Sequence, residues 1–366
     1  MEILIDIRLL GKGGQTGVEE YTRQAINHLL RLPSPHRFHL FYNGWDKIPL
    51  PAEWLNSGNA EVIDWQIPNR LFDLWQPALD TAFNDGPDLV YSPHLNYLTT
   101  ARAPRLLTIH DLSFLHYPYF FNWRQRLWHN WQKIKEQAEL AAAIVVDSAY
   151  TKNDVGETLK IAPEKIHTIY PGIDKEIYRV RKMERPANLE FPFILYLGTI
   201  EPRKNVGAII EAFQILKQQP IFDDLKLIIA GKNSDTLNPK PYTLNPSDII
   251  WWGKATAEEK IMLYNLAEVF VYPSFFEGFG FPPLEAQACG CPVVASNRAS
   301  LKEILGSSAL LIDPWKYKEL ALAIESILTN SNLRTQLIAK GLNNARQFNW
   351  QETACALLKL FSQLVS

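Results

Sequence analysis

The chain has 366 residues, of which 47% are hydrophobic, and a formal net charge of -2 at pH 7. This length and apolar content predict roughly two globular domains with full cores. The charge gives no global reason to expect nucleic-acid binding, which needs a basic surface. No apolar run approaches the roughly 20 residues that span a bilayer, and residues 1–6 are too short and too acidic for a signal peptide.

The strands and helices of the first half alternate, which predicts a parallel sheet with right-handed crossovers. Strands are expected at residues 3–8, 38–42, 61–64, 89–92, 106–109, 144–147 and 167–170. Helices are expected at residues 18–30, 71–83, 123–142 and 150–159.

A glycine-rich loop, Gly11-Lys-Gly-Gly-Gln-Thr-Gly17, follows the first strand and precedes a helix. Backbone N–H groups in that context can hold a phosphate. The loop does not match Gly-x-Gly-x-x-Gly because Thr16 takes the last glycine position, and the second strand lacks the acid that binds a nicotinamide ribose. An oxidoreductase is therefore not predicted, and a purely structural turn remains the alternative.

His110 and Asp111 directly follow the apolar strand at residues 106–109. Side chains that follow a strand of a parallel sheet lie at the edge where ligands bind. These two residues are therefore candidates for catalysis. The alternative interpretation is a structural histidine that is buried in the core and hydrogen-bonded there.

Residues 120–135 are unusually rich in aromatic and basic residues. One interpretation is an interfacial helix that places aromatic rings at the level of lipid headgroups beside cations. The favoured interpretation is packing, with Leu127, Trp131 and Ile134 in one buried stripe.

A second strand and helix series follows a segment with many charges and prolines. This segment, residues 174–191, is predicted to be an interdomain linker. Strands are expected at residues 193–197, 225–230, 249–252, 269–272, 293–296 and 309–312. Thr256-x-x-Glu259 and Ser300-x-x-Glu303 match the capping box. The predicted domains are residues 1–173 and 192–350, with a last helix within residues 351–366.

The three cysteines are Cys289, Cys291 and Cys355. They form no disulfide framework and lack the spaced histidines and cysteines of a zinc site, so a reducing cytoplasm is expected. The pair Cys289-Gly-Cys291 is interpreted as packing at a helix end, with a redox role as the alternative.

Two carboxylates, Glu277 and Glu285, are separated by seven residues across a glycine loop that leads into a helix. Pro282-Pro283 suit the first helical positions, and Gly290 is expected to end the helix. The loop N–H groups and the positive end of the helix dipole predict a phosphate site, with Glu285 in the first turn bound to a ribose. The phosphate-binding candidates in this loop are Gly278, Phe279, Gly280 and Phe281.

Arg203 and Lys204 lie between a strand and a helix. A guanidinium offers bidentate donors and an ammonium offers a compact charge, so together they can neutralise a departing diphosphate without metal. The alternative is a solvated helix start, which is disfavoured because cations are destabilising at a helix N-terminus unless an anion binds there.

The chain resembles the glycosyltransferases of family 4, which have the GT-B fold. Five segments in the family's order carry this resemblance: Thr108-Ile-His-Asp-Leu-Ser-Phe114, Val146-Asp-Ser-Ala-Tyr-Thr151, Tyr170-Pro-Gly-Ile-Asp174, Gly198-Thr-Ile-Glu-Pro-Arg-Lys-Asn205 and Ser274 to Pro292. The resemblance implies two doubly wound, Rossmann-like parallel-sheet domains that face a central cleft. It also implies that the last helix crosses back onto the first domain.

The resemblance also implies roles for individual residues. In the family, Glu-x7-Glu is the signature of retaining transfer from a nucleotide-diphosphate sugar, and the histidine matching His110 contacts the donor sugar. The loop containing Gly14 borders the donor phosphates and the acceptor site. An arginine often follows the strand-ending glycine, but here Thr199 takes that position, which puts more weight on Arg203 and Lys204.

The sequence therefore predicts a retaining glycosyltransferase without metal or cofactor. The segment from Gly198 to Asn205 resembles a branch that includes many bacterial polysaccharide mannosyltransferases. The resemblance therefore implies transfer of a hexose such as mannose from a nucleotide-sugar donor to a glycan or lipid-linked glycan. Glu277 is expected to orient sugar hydroxyls, and a double-displacement role for it stays open. The alternatives are another GT-B nucleotide-sugar enzyme, such as an epimerase, and a catalytically silent glycan-binding scaffold. The donor base, the linkage, the oligomeric state and peripheral contact with the inner face of a membrane stay open.

Overall fold

A computed structural model of the chain describes residues 1–12, 16–43, 48–65, 67, 80, 86–232 and 247–365. Gly14 and nearly all of the helix predicted at residues 71–83 lie outside these ranges. The chain divides into two compact units. Unit 1 is Met1–Gly172 with Asn349–Ser366, and unit 2 is Ile173–Phe348.

Unit 1 is built on a parallel sheet. Its strands are β1 (Glu2–Asp6), β2 (Arg37–Asn43), β3 (Ala60–Trp65), β4 (Leu89–Ser92), β5 (Arg105–Ile109), β6 (Ala143–Val146) and β7 (Ile166–Thr168). Their order is β3-β2-β1-β4-β5-β6-β7. The central strands β4, β5 and β6 are buried along their whole length, which matches a parallel sheet covered on both faces.

Helices follow the strands of unit 1. They are α1 (Gly17–Arg31), α2 (Ala52–Leu55), α3 (Ser113–His116), α4 (Trp123–Trp131), α5 (Ile134–Leu140) and α6 (Ala149–Leu159). The single helix predicted at residues 123–142 is wrong. It is broken into α4 and α5 because Lys133 adopts a left-handed conformation with φ 45°, which a helix interior does not allow.

The predicted packing of the tryptophan-rich segment is also wrong in part. Ile134 is buried, but Leu127 and Trp131 are exposed, and α4 has no buried residue. The stripe pattern alone could not distinguish an inward from an outward face, because both have the same periodicity.

Unit 2 contains a second parallel sheet. Its strands are β8 (Phe193–Leu197), β9 (Lys226–Ala230), β10 (Ile249–Gly253), β11 (Val269–Tyr272), β12 (Val293–Ser296) and β13 (Leu310–Ile312), in the order β10-β9-β8-β11-β12-β13. Its helices are α7 (Val206–Leu216), α8 (Ala257–Leu266), α9 (Phe281–Ala288), α10 (Ser300–Leu305), α11 (Tyr317–Thr329) and α12 (Ser331–Ala345). The prediction of two doubly wound parallel sheets is confirmed.

Of the two predicted capping boxes, the one at Thr256 is confirmed and the one at Ser300 is wrong. Thr256 and Glu259 form the reciprocal bonds of a capping box at the start of α8. Ser300 does not cap α10, because the helix already begins at Ser300 and Ala299 occupies the N-cap position. The Ser300 hydroxyl instead donates to the backbone carbonyls of Glu277 and Phe279.

The last helix, α13 (Trp350–Val365), belongs to unit 1 and packs on α1. The Thr353 hydroxyl donates to the Tyr170 carbonyl over 2.7 Å, and Trp350 makes an edge contact with Tyr21. Among the described residues, no helix is long and apolar enough to cross a bilayer.

The predicted linker region contains a short helical turn, Ala187–Leu189, and is tied to unit 2. Arg185 donates to the carbonyls of Leu189 and Phe191 and forms an ion pair with Glu268.

Candidate active site

The order in which the chain adds strands to the sheet of unit 2 reverses between β8 and β11. These strands are neighbours, yet the chain runs from β8 to β9 on one side and returns through β11 on the other. Ligands of open α/β sheets bind at the carboxyl edge of such a position. The loop after β8 carries Arg203 and Lys204, and the loop after β11 carries Glu277.

Glu277 forms a buried ion cluster with both cations. The Lys204 ammonium donates to Glu277 Oε1 over 2.6 Å, and Arg203 Nη1 lies 3.2 Å from Glu277 Oε2. The Ser274 hydroxyl also donates to Glu277 Oε1, and Lys204 donates to the Tyr272 hydroxyl over 2.7 Å. The structure therefore joins the adjacent residues Arg203 and Lys204 to Glu277, which is 73 residues from Lys204 in sequence.

The charges in this cluster are balanced. Arg203 Nη2 donates to Glu201 over 2.7 Å, so two cations face two carboxylates. Burial raises the pKa of Glu277, but Lys204 and Arg203 outweigh it and hold that pKa at about 2. Burial, with Arg203 nearby, lowers the pKa of Lys204. The solvated helix start considered for this segment is wrong for Lys204, which is only 8% exposed.

Three members of the cluster were not predicted from the sequence. Glu201, Tyr272 and Ser274 each contact Arg203, Lys204 or Glu277 directly. Ser274 lies three residues before Glu277, which is a weak local signal. Tyr272 is the last residue of β11 and has the pattern of an ordinary core strand residue.

The glycine loop enters α9 through a left-handed residue. Gly280 is the N-cap, with φ 102°, and Pro282 takes an early helical position as predicted. The Phe279 side chain is buried and contacts Phe281 and Phe348. Ser300 holds the carbonyls of Glu277 and Phe279, so the loop is fastened from α10.

Glu285 does not lie where the sequence predicted. Since α9 begins at Phe281, Glu285 falls just beyond the first turn, and its side chain is buried. Its Oε2 accepts a hydrogen bond of 2.8 Å from the hydroxyl of Tyr264 on α8. Tyr264 is fully buried, so Glu285 has a fixed neutral donor that sequence reasoning missed.

Thr199 follows β8 and is exposed. Its carbonyl accepts from the Tyr196 hydroxyl over 2.8 Å. Beside it, Gly198 and Gly231 approach so closely that a Cβ on Gly231 would lie 1.8 Å from the Gly198 carbonyl oxygen. The backbone at the end of β8 is therefore packed directly against the backbone of Gly231.

His110 and Asp111 lie in unit 1, after β5. Both ring nitrogens of His110 face acceptors: Nδ1 lies 2.6 Å from Asp147 and Nε2 lies 2.9 Å from the Pro93 carbonyl. Burial lowers the pKa of His110, but Asp147 outweighs it and the pKa lies above its ordinary value. The ring satisfies both acceptors only as a doubly protonated imidazolium. Asp111 accepts from the amide and hydroxyl of Ser113.

Asp147 is the unpredicted residue of unit 1. It follows β6, the neighbour of β5, and is buried. Neighbouring parallel strands bring His110 and Asp147 to one edge although they are 37 residues apart.

Cys289 and Cys291 lie buried at the end of α9, beside Gly290, as the packing interpretation predicted. Burial raises the pKa of Cys289 to about 12, which disfavours the reactive thiolate. In the part of the chain that the structure describes, no group of three or more His, Cys, Asp or Glu side chains could hold a metal ion.

Two family models match consecutive parts of the chain. The model of Glycosyltransferase Family 4 matches residues 15–177, and that of Glycosyl transferases group 1 matches residues 180–344. The chain belongs to the family 4 and group 1 glycosyltransferases. The resemblance predicted from the five sequence segments is therefore confirmed.

Named relatives of this glycosyltransferase chain include bacterial mannosyltransferases. The serotype-specific mannosyltransferase WbdA of Escherichia coli is 32% identical over 240 residues, which are 62% of this chain and 29% of WbdA. The chain thus spans less than a third of that relative. The O-antigen chain mannosyltransferase B of Escherichia coli is 27% identical over 303 residues, covering 77% of this chain and 76% of the relative.

Solved structures share the fold of this glycosyltransferase chain. A sucrose-phosphate synthase from Thermosynechococcus elongatus has a TM-score of 0.76 at 21% identity, covering 100% of this chain and 99% of that one. Anabaena HepE, solved with UDP and glucose, has a TM-score of 0.70 at 17% identity, covering 99% of this chain and 100% of HepE.

Proposed function

We propose that the chain is a retaining glycosyltransferase that moves mannose from a nucleotide-diphosphate sugar to a glycan acceptor. Membership of the family supports glycosyl transfer. The names of the relatives WbdA and O-antigen chain mannosyltransferase B support mannose as the sugar. HepE, which shares the fold, has been solved with UDP and with UDP-glucose, which supports a nucleotide-sugar donor.

The cluster of Arg203, Lys204 and Glu277 carries this proposal. A diphosphate that departs from an anomeric carbon develops negative charge, and fixed donors placed in advance stabilise that charge best. Glu277 holds both cations in place before substrate arrives. Two of the three Lys204 ammonium protons are directed at Tyr272 and Glu277, which leaves one for a phosphate oxygen.

The start of α9 would bind the rest of the diphosphate. The helix dipole places partial positive charge at Phe281, beside the glycine loop. Glu285 would then accept from the ribose hydroxyls, oriented by its hydrogen bond from Tyr264. In this arrangement cations and backbone do what a metal ion does elsewhere, so transfer needs no metal.

Glu277 is proposed to position the cations and not to attack the sugar. It accepts from Lys204 and Ser274 and is paired with Arg203, and its pKa of about 2 makes it a weak nucleophile. The departing phosphate oxygen would then take the proton of the acceptor hydroxyl. A covalent glycosyl adduct on Glu277 would contradict this assignment.

His110 and Asp111 are proposed to serve the same reaction from unit 1. As an imidazolium, His110 would bring positive charge to the donor sugar, while its two N–H groups stay bonded to Asp147 and the Pro93 carbonyl. Asp147 would keep it protonated and fixed in orientation.

A thermal-shift panel of GDP, UDP, ADP and dTDP tests the donor nucleotide. A ligand at about 100 times its dissociation constant stabilises by roughly 2.7 kcal/mol, and we expect GDP to give the largest shift. Transfer of labelled mannose from GDP-mannose should then continue in EDTA. A complete requirement for Mg²⁺ or Mn²⁺ would overturn the metal-free mechanism, and no turnover with any donor would overturn the enzyme assignment.

A further inference from the structure

Helix α4 presents large apolar side chains to solvent. Trp123 is 69% exposed, Leu127 60% and Trp131 51%. Their spacing of four residues places them in one stripe along the helix. Exposed apolar stripes of this kind mark interaction surfaces, since single scattered apolar residues are ordinary but contiguous ones are not.

Helix α4 contacts neighbouring segments of unit 1 through His129. His129 stacks on Phe114 with ring centroids 4.2 Å apart and meets Phe121 edge to face. Burial lowers the pKa of His129 to about 4, so this contact is between neutral rings. Asn122 and Gln125 form a capping box that starts the helix. The helix is thus anchored on one side, while its tryptophan stripe faces away.

The surroundings of the stripe are basic. Residues 112–135 contain no Asp or Glu, but they contain Arg124, Arg126, Lys133 and Lys135. The two lysines pair with Glu136 and Glu139. Neither arginine forms an ion pair with any described residue. Arg124 lies 5.2 Å from the Trp123 ring, and Arg126 donates through Nε to the Phe121 carbonyl.

We propose that the α4 face, formed by Trp123, Leu127, Trp131, Arg124 and Arg126, docks on an anionic lipid surface. Tryptophan rings favour the boundary between acyl chains and headgroups, and arginines attract acidic lipids. A helix of nine residues is about 13 Å long, so it would lie in the interface and not cross the bilayer.

Two other occupants fit the α4 face less well. A second copy of the chain in a symmetric dimer would bring arginines against arginines. A neutral glycan would need side chains that accept and donate hydrogen bonds, but the side-chain oxygens of Asn122 and Gln125 already accept backbone N–H groups in the capping box. Charge complementarity therefore favours a membrane.

Vesicle sedimentation tests this proposal with the full chain. Vesicles of phosphatidylcholine with phosphatidylglycerol should bind the protein, and vesicles of phosphatidylcholine alone should bind it much less. Arg124→Glu with Arg126→Glu should lower binding to anionic vesicles at least about 25-fold, since each of the two cations contributes roughly five-fold. The control is Lys318→Glu with Lys340→Glu, which makes the same charge change on exposed residues of unit 2 and should bind as before.

A second pair of variants tests the apolar stripe. Trp123→Ser with Trp131→Ser should reduce binding to anionic vesicles at least about ten-fold, while Trp251→Ser, at another exposed tryptophan, should not. Circular dichroism and thermal melting should be unchanged in all variants, because these side chains are exposed.

Equal vesicle binding by wild-type and α4 variants, or no binding by either, would overturn the proposal. Dimerisation in size-exclusion chromatography that the α4 variants abolish would assign the face to a second copy. Binding of a soluble mannose oligosaccharide that they abolish would assign it to a glycan. These readouts measure binding and not transfer, so they are independent of the proposed function.

Discussion

The contribution of Glu277 to the stability of the fold depends on pH, and its two cationic partners determine that dependence. Lys204 and Arg203 lower its pKa from 4.5 to about 2 against the effect of burial. The unfolded chain therefore takes up this proton at a higher pH than the folded chain does. The stabilisation from Glu277 is complete above about pH 4.5 and is lost as the pH falls towards 2.

Glu277→Gln should therefore destabilise the protein in a pH-dependent manner. At about pH 7 we expect a loss of about 3 kcal/mol in the free energy of unfolding, shrinking below about pH 4.5. Urea denaturation at several pH values measures this. Glu201→Gln is the control, because Glu201 is more exposed and pairs with Arg203. A loss that stays constant down to about pH 3 would contradict the assignment.

Lys204→Met tests the leaving-group role of the same cluster. We expect kcat/KM to fall at least about 100-fold, comparable to deleting one preorganised donor. The fall should lie mainly in kcat, because charge on the diphosphate grows towards the transition state. Full activity in a protein that circular dichroism reports as folded would remove Lys204 from the mechanism.

Tyr264→Phe removes the hydroxyl that donates to Glu285. The expected cost in stability is about 1 to 3 kcal/mol, since a buried carboxylate loses one hydrogen-bond donor. GDP affinity, measured by calorimetry, should also fall if Glu285 binds the ribose. Tyr317→Phe, on α11 of the same unit, is the control and should leave affinity unchanged. Unchanged GDP affinity in Tyr264→Phe would make its role purely structural.

At the scale of elements, the loop into α9 is fixed by its backbone and by its neighbour α10. Gly280 has φ 102°, and a Cβ there would lie 2.5 Å from the Leu301 side chain. Ser300 holds two carbonyls of the same loop. The proposed donor site is thus built by two helices, although its motif lies on one.

Gly280→Ala should destabilise the protein through backbone strain and, separately, through a clash with the Leu301 side chain. Gly253 also has a left-handed conformation, with φ 77°, but a Cβ there would meet nothing within 4 Å. Gly253→Ala should therefore cost about 1 to 2 kcal/mol from backbone strain alone. Gly280→Ala should cost at least about 3 kcal/mol and reduce nucleotide binding. Thermal denaturation of both variants compares them, and equal losses would show that the Leu301 contact is not important.

At the scale of the whole molecule, the chain leaves unit 1 after Gly172 and returns to it at Asn349. The residues of unit 1 at these two points, Gly172 and Trp350, lie side by side. A Cβ on Gly172 would lie 2.0 Å from the Trp350 amide nitrogen, so only glycine fits beside the start of α13.

Gly172→Ala should therefore loosen unit 1 and α13 more than unit 2. We expect a loss of about 3 kcal/mol, because backbone and not a flexible side chain blocks the added carbon. Hydrogen exchange should rise in α13 and α1 and stay slow in β8 and β11. Gly156→Ala in α6 is the control, because its Cβ would meet only ordinary contacts and alanine favours a helix. Uniform exchange in both units would contradict this.

The sequence by itself determined the two parallel sheets, the family and the position of the site motifs. Strands buried on both faces read as continuous apolar runs, and β4, β8 and β11 lie where those runs predict. Arg203, Lys204 and Glu277 follow strands, so sequence could place them at a sheet edge.

Only the tertiary structure decided which side chains meet. Lys204 and Glu277 are 73 residues apart, and their contact depends on β8 and β11 being neighbours. Neighbouring elements likewise decide that Glu285 is buried and that Ser300 is hydrogen-bonded to the glycine loop. They also decide which face of α4 is exposed to solvent. Local propensity and periodicity describe a segment's own shape, but partners and solvent exposure are properties of the packed chain.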